Sequence, residues 1–201
     1  MSHQIFLLSP ANCGGKRAGY LLRDDGRSPL AHRLRSGAGA TIGEVFSFMS
    51  GLYFRGKLAY GTAFSSPPDS GAGVLVIVPG YGLVPSVTTI DIAVLRAIAQ
   101  VPVDPEEPRY IEPLRRDAAR LAERLGPDDA VVLLGSIATA KYIEPLQEIL
   151  GTRLRVPREF VGLGDMSRGS LLLKRVTART ELDYIETQGL LRDLSSGSRR
   201  A

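Results

Sequence analysis

Three short apolar runs in this chain stop abruptly at small, polar and glycine residues, and the residue types collected there could hold or attack a ligand. Residues 5–8 run into Ser9-Pro10-Ala11-Asn12-Cys13-Gly14-Gly15. Ser9 and Asn12 can hydrogen-bond a ligand, and Cys13 is a thiolate candidate if a helix N-terminus or Lys16 and Arg17 lower its pKa. A plain turn, with Cys13 packed as a small apolar residue, explains the same string. Residues 74–78 run into Pro79-Gly80-Tyr81-Gly82, where the glycines admit close backbone approach and Tyr81 offers a flat face and a hydroxyl. Residues 131–134 run into Gly135 and Ser136, followed by Thr139 and Lys141. Free N–H groups and the positive end of a following helix suit an anion there, although simple capping by Ser136 or Thr139 is the alternative.

Two further groups carry charge. Tyr53, Arg55 and Lys57 interleave aromatic and basic side chains, a mixture that suits nucleic-acid backbones and base faces, or else an ordinary amphipathic helix surface. Asp165 and Arg168 lie in a Gly-rich stretch where a carboxylate and a guanidinium could meet one ligand or pair with each other. Three familiar patterns fail. Gly15-Lys16 lacks both the upstream Gly (Pro10 is there) and the hydroxyl after the Lys (Arg17 is there) that a phosphate loop needs. Gly162-Leu163-Gly164 has Ser167 at the third glycine of a dinucleotide fingerprint. No Gly-x-Ser-x-Gly elbow occurs.

The elements that must position these groups follow from pattern. Runs this short, β-branched and without alternation, read as strands buried on both faces of a parallel sheet, whose ligands sit beyond the carboxyl ends of the strands. Residues 4–8, 74–78, 130–134 and 153–156 are the expected strands, so about four in all. Ser28-Pro29 starts a helix over 29–35, and Thr41-Ile42-Gly43-Glu44 is a capping box for one over 42–49. Further helices are expected over 52–64, over 91–99 after capping threonines, over 112–125 with Leu114, Ala118, Leu121 and Leu125 on one face, and over 139–150. Residues 65–73 read as a surface loop. Alternation at 174–177 and 183–186 predicts an antiparallel hairpin from 170–178 and 182–187. The expectation is therefore an α/β fold, a mainly parallel sheet flanked by helices with a C-terminal antiparallel β-hairpin, as one domain over 1–192 with a flexible tail over 193–201.

Composition narrows the function classes. The chain has 201 residues, 44% apolar and 23% charged, which excludes disorder over most of its length. A net charge of +4 favours anionic partners weakly. One Cys allows no internal disulfide, and with two His it leaves too few soft ligands for zinc; no metal and no cofactor are expected. Without a signal-type or membrane-spanning apolar segment, the expected setting is the reducing cytoplasm.

The opening Ile5-Phe6-Leu7-Leu8-Ser9-Pro10-Ala11 resembles the start of the YaaA peroxide-stress proteins. Related small bacterial α/β domains carry segments similar to Leu52-Tyr53-Phe54-Arg55-Gly56-Lys57, Tyr81-Gly82-Leu83, the stretch from Gly135 to Tyr142-Ile143-Glu144-Pro145-Leu146, and the Gly-rich loop after Pro157. The resemblance implies an α/β fold with a basic cleft and an association with DNA and oxidative stress. The family's helix-hairpin-helix element has no counterpart here. The leading expectation is thus a nucleic-acid or nucleotide site: Ser136, Thr139 and Lys141 for phosphate, Tyr81 and Tyr53 for stacking, Arg55, Lys57 and Arg168 for charge. The alternatives are an enzyme on a nucleoside or similar metabolite, with Asp165 as acid/base and Asn12 and Ser9 orienting, and a partner-binding module without chemistry.

Overall fold

The computed structural model describes residues 2–68, 71–136 and 140–187, and Thr139 and the tail lie outside them. Ile5, Phe6, Leu7 and Leu8 are apolar with no alternation because helices cover both faces of their strand, β1 (Gln4–Leu8). Phe6 meets Tyr60 of one helix, α4 (Leu52–Phe64), edge to face at 5.7 Å. Ile5 looks the other way, toward Leu121 of α6 (Pro108–Glu123). β6 (Ala130–Leu134) is likewise buried throughout and lies parallel to β1, with Leu7 opposite Leu133.

Between these strands the chain runs through α1 (Lys16–Leu22), α2 (Pro29–Arg35), β2 (Ala40–Thr41), α3 (Ile42–Ser50) and α4, then β3 (Val74–Val78), β4 (Gly82–Pro85), β5 (Thr89–Ile90), α5 (Ile92–Ala99) and α6. After β6 come α7 (Ala140–Leu150), β7 (Leu154–Pro157), α8 (Asp165–Ala178) and β8 (Tyr184–Glu186). The main sheet has the order β4-β3-β1-β6-β7-β8. Its four inner strands are parallel and the two edge strands, β4 and β8, are antiparallel. β2 and β5 form a separate two-stranded ladder. Among the described residues no helix is long and apolar enough to cross a membrane.

Several local expectations are met by the stated physics. Ser28 accepts from the Ala31 N–H at 3.1 Å with Pro29 in the first helical turn. Thr41 accepts from the Glu44 N–H at 3.2 Å, but the Glu44 carboxylate pairs with Arg33 at 2.7 Å instead of closing the capping box. α5 is capped by Asp91 rather than by the threonines before it, since Thr89 belongs to β5. α6 begins four residues earlier than its apolar period suggests, at Pro108, a residue suited to a first helical turn. Arg153 then takes the carbonyls of Ala122 and Leu125 at its C-terminal end, each at 3.0 Å.

The largest correction concerns the C-terminal part. Residues 170–178, expected as one arm of a hairpin, are the body of helix α8. The local alternation at 174–177 lies inside a longer helical period in which Arg168, Gly169 and Leu172 face inward. The antiparallel C-terminal strand does exist as β8, but its partner is β7, across the intervening helix. Tyr60 anchors it: the Leu182 N–H donates to the Tyr60 hydroxyl at 2.7 Å, and that hydroxyl meets the Tyr184 hydroxyl at 2.6 Å. Helix α1, over residues with no apolar period long enough to announce it, is an element the sequence pattern does not predict.

At the amino ends of β1 and β6, Asp129 ties the two strands together. Its carboxylate accepts from the His3 N–H at 2.7 Å and from the Gly126 N–H at 2.8 Å. The His3 N–H chiefly, and the Gly126 N–H with it, hold this carboxyl below its ordinary pKa. Asp129→Ala strands both donors, and the expected cost is about 2 kcal/mol in urea unfolding, with Asp129→Asn intermediate.

Candidate functional site

β1 leads by way of α1 to α4 to β3 on one side, and β6 leads through α7 to β7 on the other. The connections part between β1 and β6, which makes the carboxyl ends of these two strands the topological switch point of the sheet. Ser9 and Gly135 meet there. The Ser9 N–H donates to the Leu134 carbonyl at 3.1 Å. A Cβ on Gly135 would fall 2.9 Å from the Ser9 Cβ and 3.2 Å from its Oγ, so only glycine fits this close against Ser9.

Helix α4 brings two side chains to this point. Tyr53 and Lys57 are four residues apart and share its inner face, 6% and 1% exposed, whereas Arg55 points out beside Arg17 and Tyr20. The expected aromatic-basic surface stripe is therefore divided. Lys57 Nζ donates to the Ser9 carbonyl at 2.7 Å and to Ser9 Oγ at 2.9 Å. It also stands 4.6 Å from the centre of the Tyr53 ring and 4.8 Å from that of Phe54. Burial pulls the Lys57 pKa down to about 7, against the opposing pull of the Asp165 carboxylate.

Helix α8 supplies the third wall. Gly56 and Gly169 let the backbones of α4 and α8 touch: a Cβ on Gly56 would sit 2.7 Å from the Gly169 carbonyl oxygen, and one on Gly169 would sit 2.9 Å from the Tyr53 Cα. That closeness carries Arg168, 6% exposed, into the cluster. Its Nη2 donates to the Phe160 carbonyl at 2.9 Å, its guanidinium lies 5.3 Å from the Phe160 ring centre, and its Nη1 is 3.5 Å from the Asp165 carboxylate. Arg168 Nε and the Tyr53 hydroxyl are both buried and make no hydrogen bond among the described residues. Burial pushes the Tyr53 hydroxyl up to about 12, opposed by the neighbouring Arg168. The two groups adjoin, and the phenol oxygen can accept from the guanidinium, but neither atom makes a well-formed hydrogen bond, which leaves this corner of the cluster incompletely satisfied.

A pocket of about 540 Å³ lies just past the carboxyl ends of β1 and β3, and Ser9, Tyr53, Lys57 and Arg168 are not among the residues that line it. One wall is polar, with Asn12, Cys13, Lys141 and Tyr142; the other, from Ile98 to Val103, is largely apolar. Asn12 uses its Oδ1 to accept from the Gly14 N–H at 2.9 Å. Lys141 Nζ lies 5.9 Å from the centre of the Tyr142 ring. Burial, with Asp165 adding to it, pushes the Tyr142 hydroxyl to about 12. Burial pushes the Cys13 pKa up to about 11, which favours the packed neutral thiol over the thiolate.

The expected site residues thus separate into two sets. Ser9, Asn12, Gly135, Ser136 and Lys141 line the carboxyl end of the sheet, with Tyr53, Lys57, Asp165 and Arg168 behind and beside them. Asp165 stands at the outer edge, its side chain 68% exposed, and makes no hydrogen bond or ion pair with Asn12. Thr139 lies outside the described residues. Tyr81 and Gly82 belong to the β3–β4 hairpin away from the pocket wall. Tyr81 is 41% exposed in the turn, and Gly82, at φ 85°, is required because a Cβ would strike Asp117 and the Pro113 carbonyl of α6. Among the described residues no cluster of His, Cys, Asp and Glu could hold a metal ion.

The class these features define is an α/β protein with a half-buried polar site at its switch point. Compared with models of known families, with curated proteins and with solved structures, the chain matches none.

Proposed function

We propose that the chain binds a small anionic metabolite of the nucleotide class at the carboxyl ends of β1 and β6, and acts on it, rather than laying an extended nucleic acid along a surface groove. What carries this reading is the pocket just past the carboxyl ends of the strands, with Asn12, Lys141 and Tyr142 in its lining, together with a buried cluster in which Arg168 Nε and the Tyr53 hydroxyl lack well-formed hydrogen bonds. A guanidinium with one N–H to spare and a phenol suit an oxyanion such as a phosphate. The pocket volume falls within the range of small-ligand sites, and its apolar wall offers a surface for a base or sugar ring. Lys141 sits at the rim to meet further negative charge, and Asp165 steadies Arg168 from outside. An extended strand would need its basic and aromatic groups on the surface, but Tyr53 and Lys57 are buried.

Thermal unfolding with nucleoside mono-, di- and triphosphates tests the reading. At a hundredfold excess over Kd a native-state ligand adds about 2.7 kcal/mol, which raises Tm by about 5–10 °C for a chain of this size. Arg168→Met, similar in volume, abolishes the shift. A response to single-stranded DNA alone, falling steeply with salt, transfers the proposal to the exposed Arg17, Tyr20 and Arg55 surface and removes the nucleotide site.

A further inference from the structure

Ser9 Oγ and Lys57 Nζ are 2.9 Å apart, the separation of a nucleophile and its base. The contact is sheltered: Ser9 is 5% exposed, Lys57 lies against the rings of Tyr53 and Phe54, and Gly135, just past β6, packs too close to Ser9 for a side chain. We propose that Ser9 and Lys57 are a nucleophile–base pair for acyl transfer, acting on a small ester that carries an oxyanion group. The proposal deepens the function above and rests on it only for the anion held by Arg168 and Tyr53.

The electrons and protons balance as follows. A neutral amine keeps one N–H on the Ser9 carbonyl and accepts the Ser9 Oγ proton on its lone pair. Oγ forms a bond to the acyl carbon, the C–O bond to the leaving alcohol breaks, and Lys57 passes its proton to that alcohol. Water then attacks the acylated serine and loses its proton to Lys57; the Oγ–acyl bond breaks, Lys57 returns that proton to Ser9 Oγ, and the acid leaves. The charged and titratable groups facing Lys57 are Tyr53 of its own helix, Asp165 and Arg168 of α8, and Tyr142 of α7 beyond Asp165. Ser9 faces it from the end of β1. Within this surrounding, burial favours the neutral amine at ordinary pH.

A fluorophosphonate tests the pair without knowledge of the substrate, because Oγ attack on phosphorus expels fluoride and leaves a stable adduct. Peptide mapping of the full chain is expected to place the adduct on Ser9. Its rate rises about tenfold between pH 6 and 9 with a midpoint near 7, and falls about a hundredfold or more in Lys57→Met. Labelling that persists while no nucleotide raises Tm keeps the pair and discards the ligand class. No adduct on Ser9 in the folded wild type, a flat pH profile, or equal labelling of Lys57→Met overturns the proposal. The wild-type profile decides the matter even if Lys57→Met does not fold.

Discussion

Gly56→Ala lowers the unfolding free energy by about 2 kcal/mol or more, and Gly169→Ala does the same. In an unhindered helix the change would stabilise by about 1 kcal/mol, because Gly is the poorer helix former. Here the added methyl meets backbone. On Gly56 it would stand 2.7 Å from the Gly169 carbonyl oxygen; on Gly169 it would stand 3.0 Å from the Leu52 carbonyl group. Neither neighbour is a side chain that can turn aside, so α4 and α8 must separate. Overpacking of that kind costs about 1–3 kcal/mol, occasionally more, and outweighs the propensity gain. Separation also moves Lys57 and Arg168 apart, so ligand-induced thermal shifts disappear before the fold does. Gly19→Ala is the control: it lies in α1 with nothing within 4 Å of the added carbon, and it stabilises by up to about 1 kcal/mol. Urea midpoints at unchanged m-value read all three variants. A Gly56→Ala protein as stable as the wild type would mean that the two helices do not touch as described.

Stability rises between pH 7 and pH 9, by about 2 kcal/mol from Lys57 alone. Unfolded, this lysine keeps its proton up to about 10.5; folded, burial releases it at about 7. Between those values the unfolded chain binds one proton more, and stability climbs at about 1.4 kcal/mol per pH unit. Below pH 7 both states are protonated and the curve is flat in this group. The gain ends near pH 9 because other buried acids then work the opposite way. The Cys13 thiol, ordinarily at 9.0 and raised to about 11, and the Tyr53 and Tyr142 hydroxyls, ordinarily at 10.0 and raised to about 12, ionise first in the unfolded chain. Urea unfolding at pH 6, 7, 8 and 9 follows the slope, and Lys57→Met removes it. A wild-type profile level from 7 to 9 would show that Lys57 is solvated in the folded protein.

Much of the scaffold was legible in local pattern. The unbroken apolar runs at 5–8 and 131–134 could only be inner strands, because a strand with one wet face alternates. Ser28-Pro29 and Thr41 announced helix starts through hydrogen bonds made within four residues. The loops beyond β1 and β6 were recognisable as neighbours, since parallel strands bring their carboxyl ends to one side. The helix over 165–178 was not. Residues 174–177, which end in the β-branched Val176 and Thr177, read as an alternating strand, and only packing of α8 against α4 settles the period.

What the sequence by itself determined is the arrangement of strands and the edge at which their polar loops gather, because these follow from short-range periodicity and from chain direction. Which cations are solvent-facing was decided by the tertiary structure alone. Lys57 and Arg55 are two residues apart on one helix, yet one lies under α8 against Ser9 and the other lies in water. Two residues along a helix turn a side chain by more than half a circle, and only the helix that packs across it tells which half is dry.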